Sequence, residues 1–70
     1  MSYNGHKNWT HWNVSLWINN DEGLYNFAVE TCRRFKKDRA ARHLKVNLPE
    51  RTPDGARYSV VAIRAALVDM

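Results

Sequence analysis

The stretch LYNFAVETCRRF, residues 24–35, carries the strongest structural signal in this chain of 70 residues. Its apolar and small side chains recur at intervals of three and four positions: Leu24, Phe27, Ala28, Thr31, Cys32 and Phe35. Because an α-helix has about 3.6 residues per turn, this spacing places them along one stripe. We therefore predict a helix over residues 21–38, with Asn20 as its N-cap, that extends as far as Arg42 at most.

The preceding residues predict a shorter helix over residues 10–19, after a flexible arm at residues 1–8. Trp9, Trp12 and Leu16 recur there at spacings of three and four. A chain of this length has few large side chains with which to build a core. We therefore expect Trp12 and Leu16 to face the stripe of the second helix and to be buried.

Two further tryptophans, Trp9 and Trp17, lie at the margins of the first helix's stripe, and two interpretations stay open for them. They complete the core, or they are exposed contact residues, since tryptophan is enriched among interface anchors. A base-stacking platform requires aromatic side chains interleaved with basic ones. In this sequence the only aromatic residue within the main basic stretch is Phe35.

Beyond the second helix, the sequence predicts an extended segment, a turn and a last helix. Leu44, Val46 and Leu48 alternate with polar residues, which is typical of a strand. Thr52-Pro53-Asp54-Gly55 is a strong turn signal. The last helix covers residues 60–69 and has Ser59 as its N-cap. The predicted fold is mainly α: one domain, residues 1–70, with three helices and an extended connector between the second and third.

Positive charge is concentrated in residues 33–45, named here the basic segment. It contains seven basic residues and one acid, Asp38, and so carries +6 where the whole chain carries +4. Such a segment is typical of a surface for nucleic acid or an acidic protein, although charge runs are also common on solvated faces. The predicted partner-binding residues are Arg33, Arg34, Lys36, Lys37, Arg39, Arg42 and Lys45, with Trp9 and Trp17.

Several classes of protein are disfavoured by the sequence. Cys32 is the only cysteine, so no disulfide forms within the chain. There is neither an apolar run long enough to span a bilayer nor the apolar core of a signal peptide, and we expect a reduced, cytoplasmic protein. So small a core is marginal, and formation of a homodimer is one way to compensate.

Chemistry by the protein itself is not expected. His6, His11, His43 and Cys32 lack the compact ligand spacings of metal sites. The chain contains no phosphate-binding loop, nucleotide fingerprint or nucleophile elbow. We therefore predict neither a metal nor a cofactor, and we expect a binding protein, not an enzyme.

The N-terminal third resembles a family of small proteins carried by bacteriophages, prophages and plasmids. The resemblance is carried by Tyr3-Asn4-Gly5, Asn8-Trp9, Trp12, Val14, Leu16-Trp17-Ile18 and Asn20-Asp21-Glu22-Gly23-Leu24-Tyr25. A weaker similarity covers Asp54-Gly55, Tyr58-Ser59 and Ala62-Ile63-Arg64. This chain has His11 where the family usually has threonine, and His6 where it often has an aromatic residue.

The resemblance implies an accessory protein of a mobile element that works in bacterial cytoplasm. By analogy, such proteins often inhibit host defences, as anti-CRISPR proteins do, or regulate nucleic-acid transactions. Our first hypothesis is a protein that occupies and blocks a host defence protein or ribonucleoprotein complex. The alternative is a nucleic-acid-binding accessory protein that uses the basic segment.

Overall fold

Four helices make up most of the computed structural model, which describes residues 8–68 and Met70. They are α1 (Trp9–Asn20), α2 (Glu22–Arg34), α3 (Lys37–Asn47) and α4 (Val60–Ala66). Within these residues, each helix packs against two others in a closed order, α1 with α2, α2 with α3, α3 with α4, and α4 with α1. The mainly helical class is confirmed, but the predicted number of helices was one too low.

The first two helices meet at a single residue, Asp21, which serves both of them. Its backbone N–H donates to the carbonyl of Trp17 at the end of α1 (3.1 Å). Its carboxylate accepts the N–H of Leu24 in the first turn of α2 (2.9 Å). Asp21 is therefore the N-cap of α2, one residue after the predicted Asn20. At the other end of α1, the side chain of Asn8 accepts the N–H of His11.

The predicted long second helix was wrong, because the chain leaves the helical conformation at two residues. Phe35 (φ −133°, ψ 153°) and Lys36 (φ −63°, ψ 157°) are both extended. Continuing the apolar stripe past Phe35 would bring charged side chains to the core, namely Asp38, Arg39 and Arg42. A new helix starting at Lys37 instead buries Ala40, Ala41 and Leu44.

The predicted extended segment at Leu44, Val46 and Leu48 was wrong as well, because Leu44 and Val46 belong to α3. Leu44 is buried together with Ala40 and Ala41, which precede it by four and three positions, as on one helical face. Val46 points outward and is 83% exposed. The alternation covered only three apolar residues, which is too few to separate a strand from a helix.

The extended connector lies between α3 and α4, not between the second and third helices. It contains one antiparallel bridge, between Arg51 and Arg57. The predicted turn is confirmed: the N–H of Gly55 donates to the carbonyl of Thr52 (2.9 Å), and Gly55 has a φ of +96°, which favours glycine. This connector also supplies a buried core residue, Tyr58.

The last helix begins as predicted and ends early. The hydroxyl of Ser59 accepts the N–H of Ala62 (3.1 Å), which confirms the predicted N-cap. The helix ends at Ala66 and is followed by a turn at Leu67 and Val68. The predicted last position, residue 69, lies outside the described residues, and so do residues 1–7 of the predicted arm.

A polar network fastens the connector to α1. The amide nitrogen of Asn13, a buried residue, donates to the carboxylate of Asp54 (2.9 Å), and the amide oxygen accepts the hydroxyl of Thr52 (2.6 Å). The indole N–H of Trp17 donates to the same carboxylate oxygen (3.0 Å). The Thr52 hydroxyl also accepts the N–H of Ala56 (3.0 Å). The network therefore orients the connector and satisfies the buried amide of Asn13.

The core is built from aliphatic side chains and one tyrosine, not from tryptophan. Trp12 and Leu16, which we expected to be buried, are half-buried and lie outside the buried cluster. Val14 and Ile18 occupy the inward face of α1 instead. Of the described residues, the buried cluster consists of Val14, Ile18, Ala28, Ala40, Ala41, Leu44, Ala56, Tyr58, Ala62, Ile63, Ala66 and Leu67.

The inward face of α1 can be tested by a matched pair of substitutions. Ile18→Ala removes a side chain that is 1% exposed, and we expect it to lower the free energy of unfolding by about 2–5 kcal/mol. Leu16→Ala removes a half-buried side chain and should cost clearly less. Urea denaturation of both variants measures the difference, and a larger loss from Leu16→Ala would contradict the orientation of α1.

The network at Asp54 predicts a dependence of stability on pH. Hydrogen bonds from Asn13 and then Trp17 hold the pKa of the Asp54 carboxyl below its ordinary value of 3.8. The charged form therefore stabilises the fold fully above that value, and the contribution is lost as the pH falls through the lower pKa of the folded state. At pH 6 the urea midpoint of the Asp54→Ala variant should therefore lie below that of the unsubstituted protein. The difference should shrink below pH 3.8; a constant difference would contradict the network.

Candidate functional site

The junction of α2 and α3 forms an open concavity of about 700 Å³. Phe35 lies in its wall, because the chain turns there from one helix into the next. Four cationic side chains line the same concavity and are named here the basic corner: Arg34 from the end of α2, Lys36 from the junction, and Arg39 and Arg42 from α3. Asp38 is the single acidic residue in the lining.

Aromatic contacts hold the junction in place. The ring of Phe35 lies 5.5 Å from the ring of His43, centroid to centroid, and His43 lies 6.1 Å from Phe27. Both phenylalanines are half-buried and pack against the buried cluster. The guanidinium carbon of Arg39 lies 5.7 Å from the Phe35 centroid, within cation–π range. Phe35, at the break between α2 and α3, therefore also positions Arg39 of the basic corner.

The four cations of the basic corner form no ion pair with a carboxylate of the described residues. Among the described residues, no carboxylate lies within 4.0 Å of Arg34, Lys36, Arg39 or Arg42. Asp38, the acid in the lining, accepts a hydrogen bond of 2.7 Å from the Nε of Arg64 on α4. Four like charges around one concavity repel one another, and an anion placed among them would relieve that repulsion.

The other cations of the basic segment have different surroundings. Arg33 lies 3.6 Å from Glu30 on the exposed face of α2. The ammonium group of Lys45 donates to the carbonyl of Tyr58 (2.8 Å) and so connects α3 to the connector. Lys37 is half-buried, and its charge opposes the effect of burial on the Cys32 thiol, whose pKa is nevertheless raised. The structure thus places four of the seven predicted basic residues together and the other three apart.

The two tryptophans predicted to contact a partner, Trp9 and Trp17, differ in exposure. Trp9 is 38% exposed at the start of α1. Trp17 is half-buried, and its indole N–H is bound to Asp54, so part of its role is structural. Tyr25 on α2, 41% exposed, is a further large exposed side chain, and it was not among the predicted partner-binding residues. Neither Trp9 nor Tyr25 lines the basic corner.

Within the described ranges, no three histidine, cysteine or acidic side chains are grouped so that they could hold a metal ion. The candidate ligands His43 and Cys32 lie on different helices, α3 and α2, and His6 lies outside those ranges. In the part of the chain that the structure describes, no helix has the length and apolar character needed to cross a membrane.

The sequence located the basic segment but missed the concavity, because it predicted one continuous helix there. A signal was nevertheless present. After Phe35 the apolar positions shift to Ala40, Ala41 and Leu44, out of phase with the stripe before it. A shift of helical phase inside a charged stretch indicates a break, and a break brings residues from two helices to one place.

Comparison with protein families assigns this chain to a family by sequence. The model of a family of unknown function (DUF7249) matches residues 1–70. The chain therefore belongs to that family. No curated protein and no solved structure matches it.

Proposed function

We propose that this member of the DUF7249 family is an accessory protein that binds nucleic acid through the basic corner. The observation that carries the proposal is the set of four cations, without a neighbouring carboxylate among the described residues, around one open concavity. Arginine binds phosphate groups, as it does carboxylates, through two parallel hydrogen bonds from its planar guanidinium. Three of the four cations are arginines: Arg34, Arg39 and Arg42.

Two features of the junction support phosphate binding beyond net charge. None of the described side chains caps the start of α3, and free amide groups at a helix N-terminus favour anions. Asp38, which would oppose an anion, is partly neutralised by its bond to Arg64. The basic corner therefore presents cations to a ligand, while the nearby acid is engaged by α4.

The biological context is part of the proposal and rests on the resemblance to proteins of bacteriophages, prophages and plasmids. The protein would act in the bacterial cytoplasm as an accessory factor of a mobile element. It would work by occupying its partner, since the arrangement of the described residues offers positive charge and contact area for binding. Enzymatic chemistry is not part of this proposal.

A second candidate function is inhibition of a host defence protein or ribonucleoprotein complex, as anti-CRISPR proteins do. The exposed aromatic residues Trp9 and Tyr25 favour it, because aromatic side chains are frequent anchors of protein interfaces. They lie away from the basic corner, so a ribonucleoprotein partner could engage both surfaces. Its nucleic acid would contact the cations and its protein the aromatic residues.

Nucleic-acid binding predicts a steep dependence on salt. If the four cations of the basic corner each neutralise one phosphate of duplex DNA, the log–log slope of affinity against salt should be about −3.6, at about −0.9 per phosphate. Arg39→Gln combined with Arg42→Gln should flatten the slope to about −1.8 and weaken binding at low salt. Fluorescence polarisation with a labelled random duplex measures both quantities.

A matched control separates the basic corner from net charge alone. Arg51→Gln combined with Arg57→Gln removes the same charge from the connector, where Arg51 bonds to Gly55 and Arg57 lies near Glu50. Circular dichroism should show that both double variants remain folded. Equal loss of affinity in the two variants would mean that the basic corner is not the binding site.

Inhibition by occupancy predicts stoichiometric behaviour. Titrated against a purified host defence complex, the protein should reach full effect near one copy per target site and lose the effect on removal. Trp9→Ala should weaken the inhibition if Trp9 is an interface anchor, since such truncations cost about 2 kcal/mol or more. Inactivation of excess target by trace amounts would contradict occupancy and indicate an enzyme.

A further inference from the structure

The outer face of α3 lies away from the buried cluster, although two of its side chains, His43 and Arg39, contact the Phe35 ring at the junction. Arg39, Arg42, His43 and Val46 are all exposed. At about 100° per residue they fall within an arc of about 100°. Ala40, Ala41 and Leu44, which are buried, fall on the opposite side of the helix. The outer face therefore presents two arginines, a histidine and a valine together.

Of the three remaining charged side chains of α3, Asp38 and Lys45 bond to other elements, although Asp38 also lines the concavity beside Arg39 and Arg42. Asp38 bonds to Arg64 of α4, and Lys45 bonds to the carbonyl of Tyr58. Both contacts are on the side of α3 that faces α4 and the connector. No carboxylate of the described residues therefore lies within 4.0 Å of Arg39 or Arg42.

The dimensions of α3 suit one groove of nucleic acid. The helix has 11 residues and is about 16 Å long and 10–12 Å wide. The major groove of B-form DNA is about 12 Å wide, whereas the major groove of duplex RNA is too deep and narrow for a helix. Arg34 and Lys36 lie beside the N-terminal end of α3, where they can reach the phosphates at the edge of the groove.

We infer that α3 enters the major groove of duplex DNA and reads base edges with its outer face. On a random duplex Arg39 and Arg42 would contact phosphates, whereas on a duplex that carries the matching motif each would donate two hydrogen bonds to guanine, and Val46 would contact a thymine methyl group. Arg34 and Lys36 would bind phosphates and set the position of the helix. This inference rests on the proposed nucleic-acid binding and goes beyond it, since it names duplex DNA and a readout of sequence.

The experiment replaces the two arginines of the outer face with lysine and measures the sequence preference of DNA binding. Arg39→Lys combined with Arg42→Lys keeps the charge but removes the planar fork of donors. Enrichment of a random duplex library on the purified, full-length protein should give a guanine-containing motif of about four or five base pairs, the length of α3 at 3.4 Å per pair. The double lysine variant should lower the preference for that motif by about tenfold or more and leave the salt slope unchanged.

Two further variants make the result specific. Arg34→Gln combined with Lys36→Gln should weaken binding to motif and random duplexes equally and reduce the salt slope. Arg57→Lys, in the connector, should change neither quantity. Sequence preference that survives the Arg39 and Arg42 lysine substitutions would overturn the assignment of α3 as the reading helix.

The probes also separate this inference from the proposed function. Labelled duplex DNA, single-stranded DNA and duplex RNA of one sequence are compared at the same low salt. Preference for the DNA duplex supports the inference. Duplex RNA or the single strand could instead bind as tightly as duplex DNA or more tightly, and lose affinity in the variant that combines Arg39→Gln with Arg42→Gln. That result would overturn the inference about duplex DNA and leave the proposed nucleic-acid binding in place. Absence of binding to all three would overturn both.

Discussion

The two extended residues between α2 and α3 are the constraint on which the rest of the structure depends. A helix continuing through Phe35 and Lys36 would turn charged side chains toward the core. The break turns Ala40, Ala41 and Leu44 inward instead and lets α3 pack against both α2 and α4. The same break places Arg34 of one helix next to Arg39 and Arg42 of the other. Folding and the candidate site therefore have one structural origin.

A small chain has a marginal core, and this one supplements its core with buried polar contacts. Asn13 is buried on α1, yet both its amide groups are bonded to the connector, at Thr52 and Asp54. Trp17 adds a second hydrogen bond to Asp54. Small residues at buried positions of α3 and α4, such as Ala40 and Ala62, allow close approach of these short helices. Stability is thus shared between apolar packing and a few specific hydrogen bonds.

The candidate site is distinguished by cations that have no carboxylate partner among the described residues. Asp38 and Lys45 are engaged toward α4 and the connector, whereas the cations of the basic corner remain open to an anion. Phe35 and His43 join this surface to the core, so the position of Arg39 is coupled to the packing of the junction. A binding surface whose side chains are already packed loses less conformational entropy on binding than one built on a loop without such contacts.

The sequence by itself determined the helical class, the start of α4 at Ser59, the turn at Thr52–Gly55 and the location of the basic segment. These features depend on local spacing, caps and turn residues, which act within a few positions of the chain. Only the tertiary structure decided which face of α1 is buried, because α1 carries large apolar side chains on more than one face, and the packing of the four helices buries Val14 and Ile18 and leaves Trp12 half-buried. The tertiary structure also decided that residues 22–47 form two helices, α2 and α3, and not one. That break determines which of the seven basic residues of the basic segment meet around Phe35. Those outcomes depend on contacts between residues distant in sequence, which periodicity within one helix cannot specify.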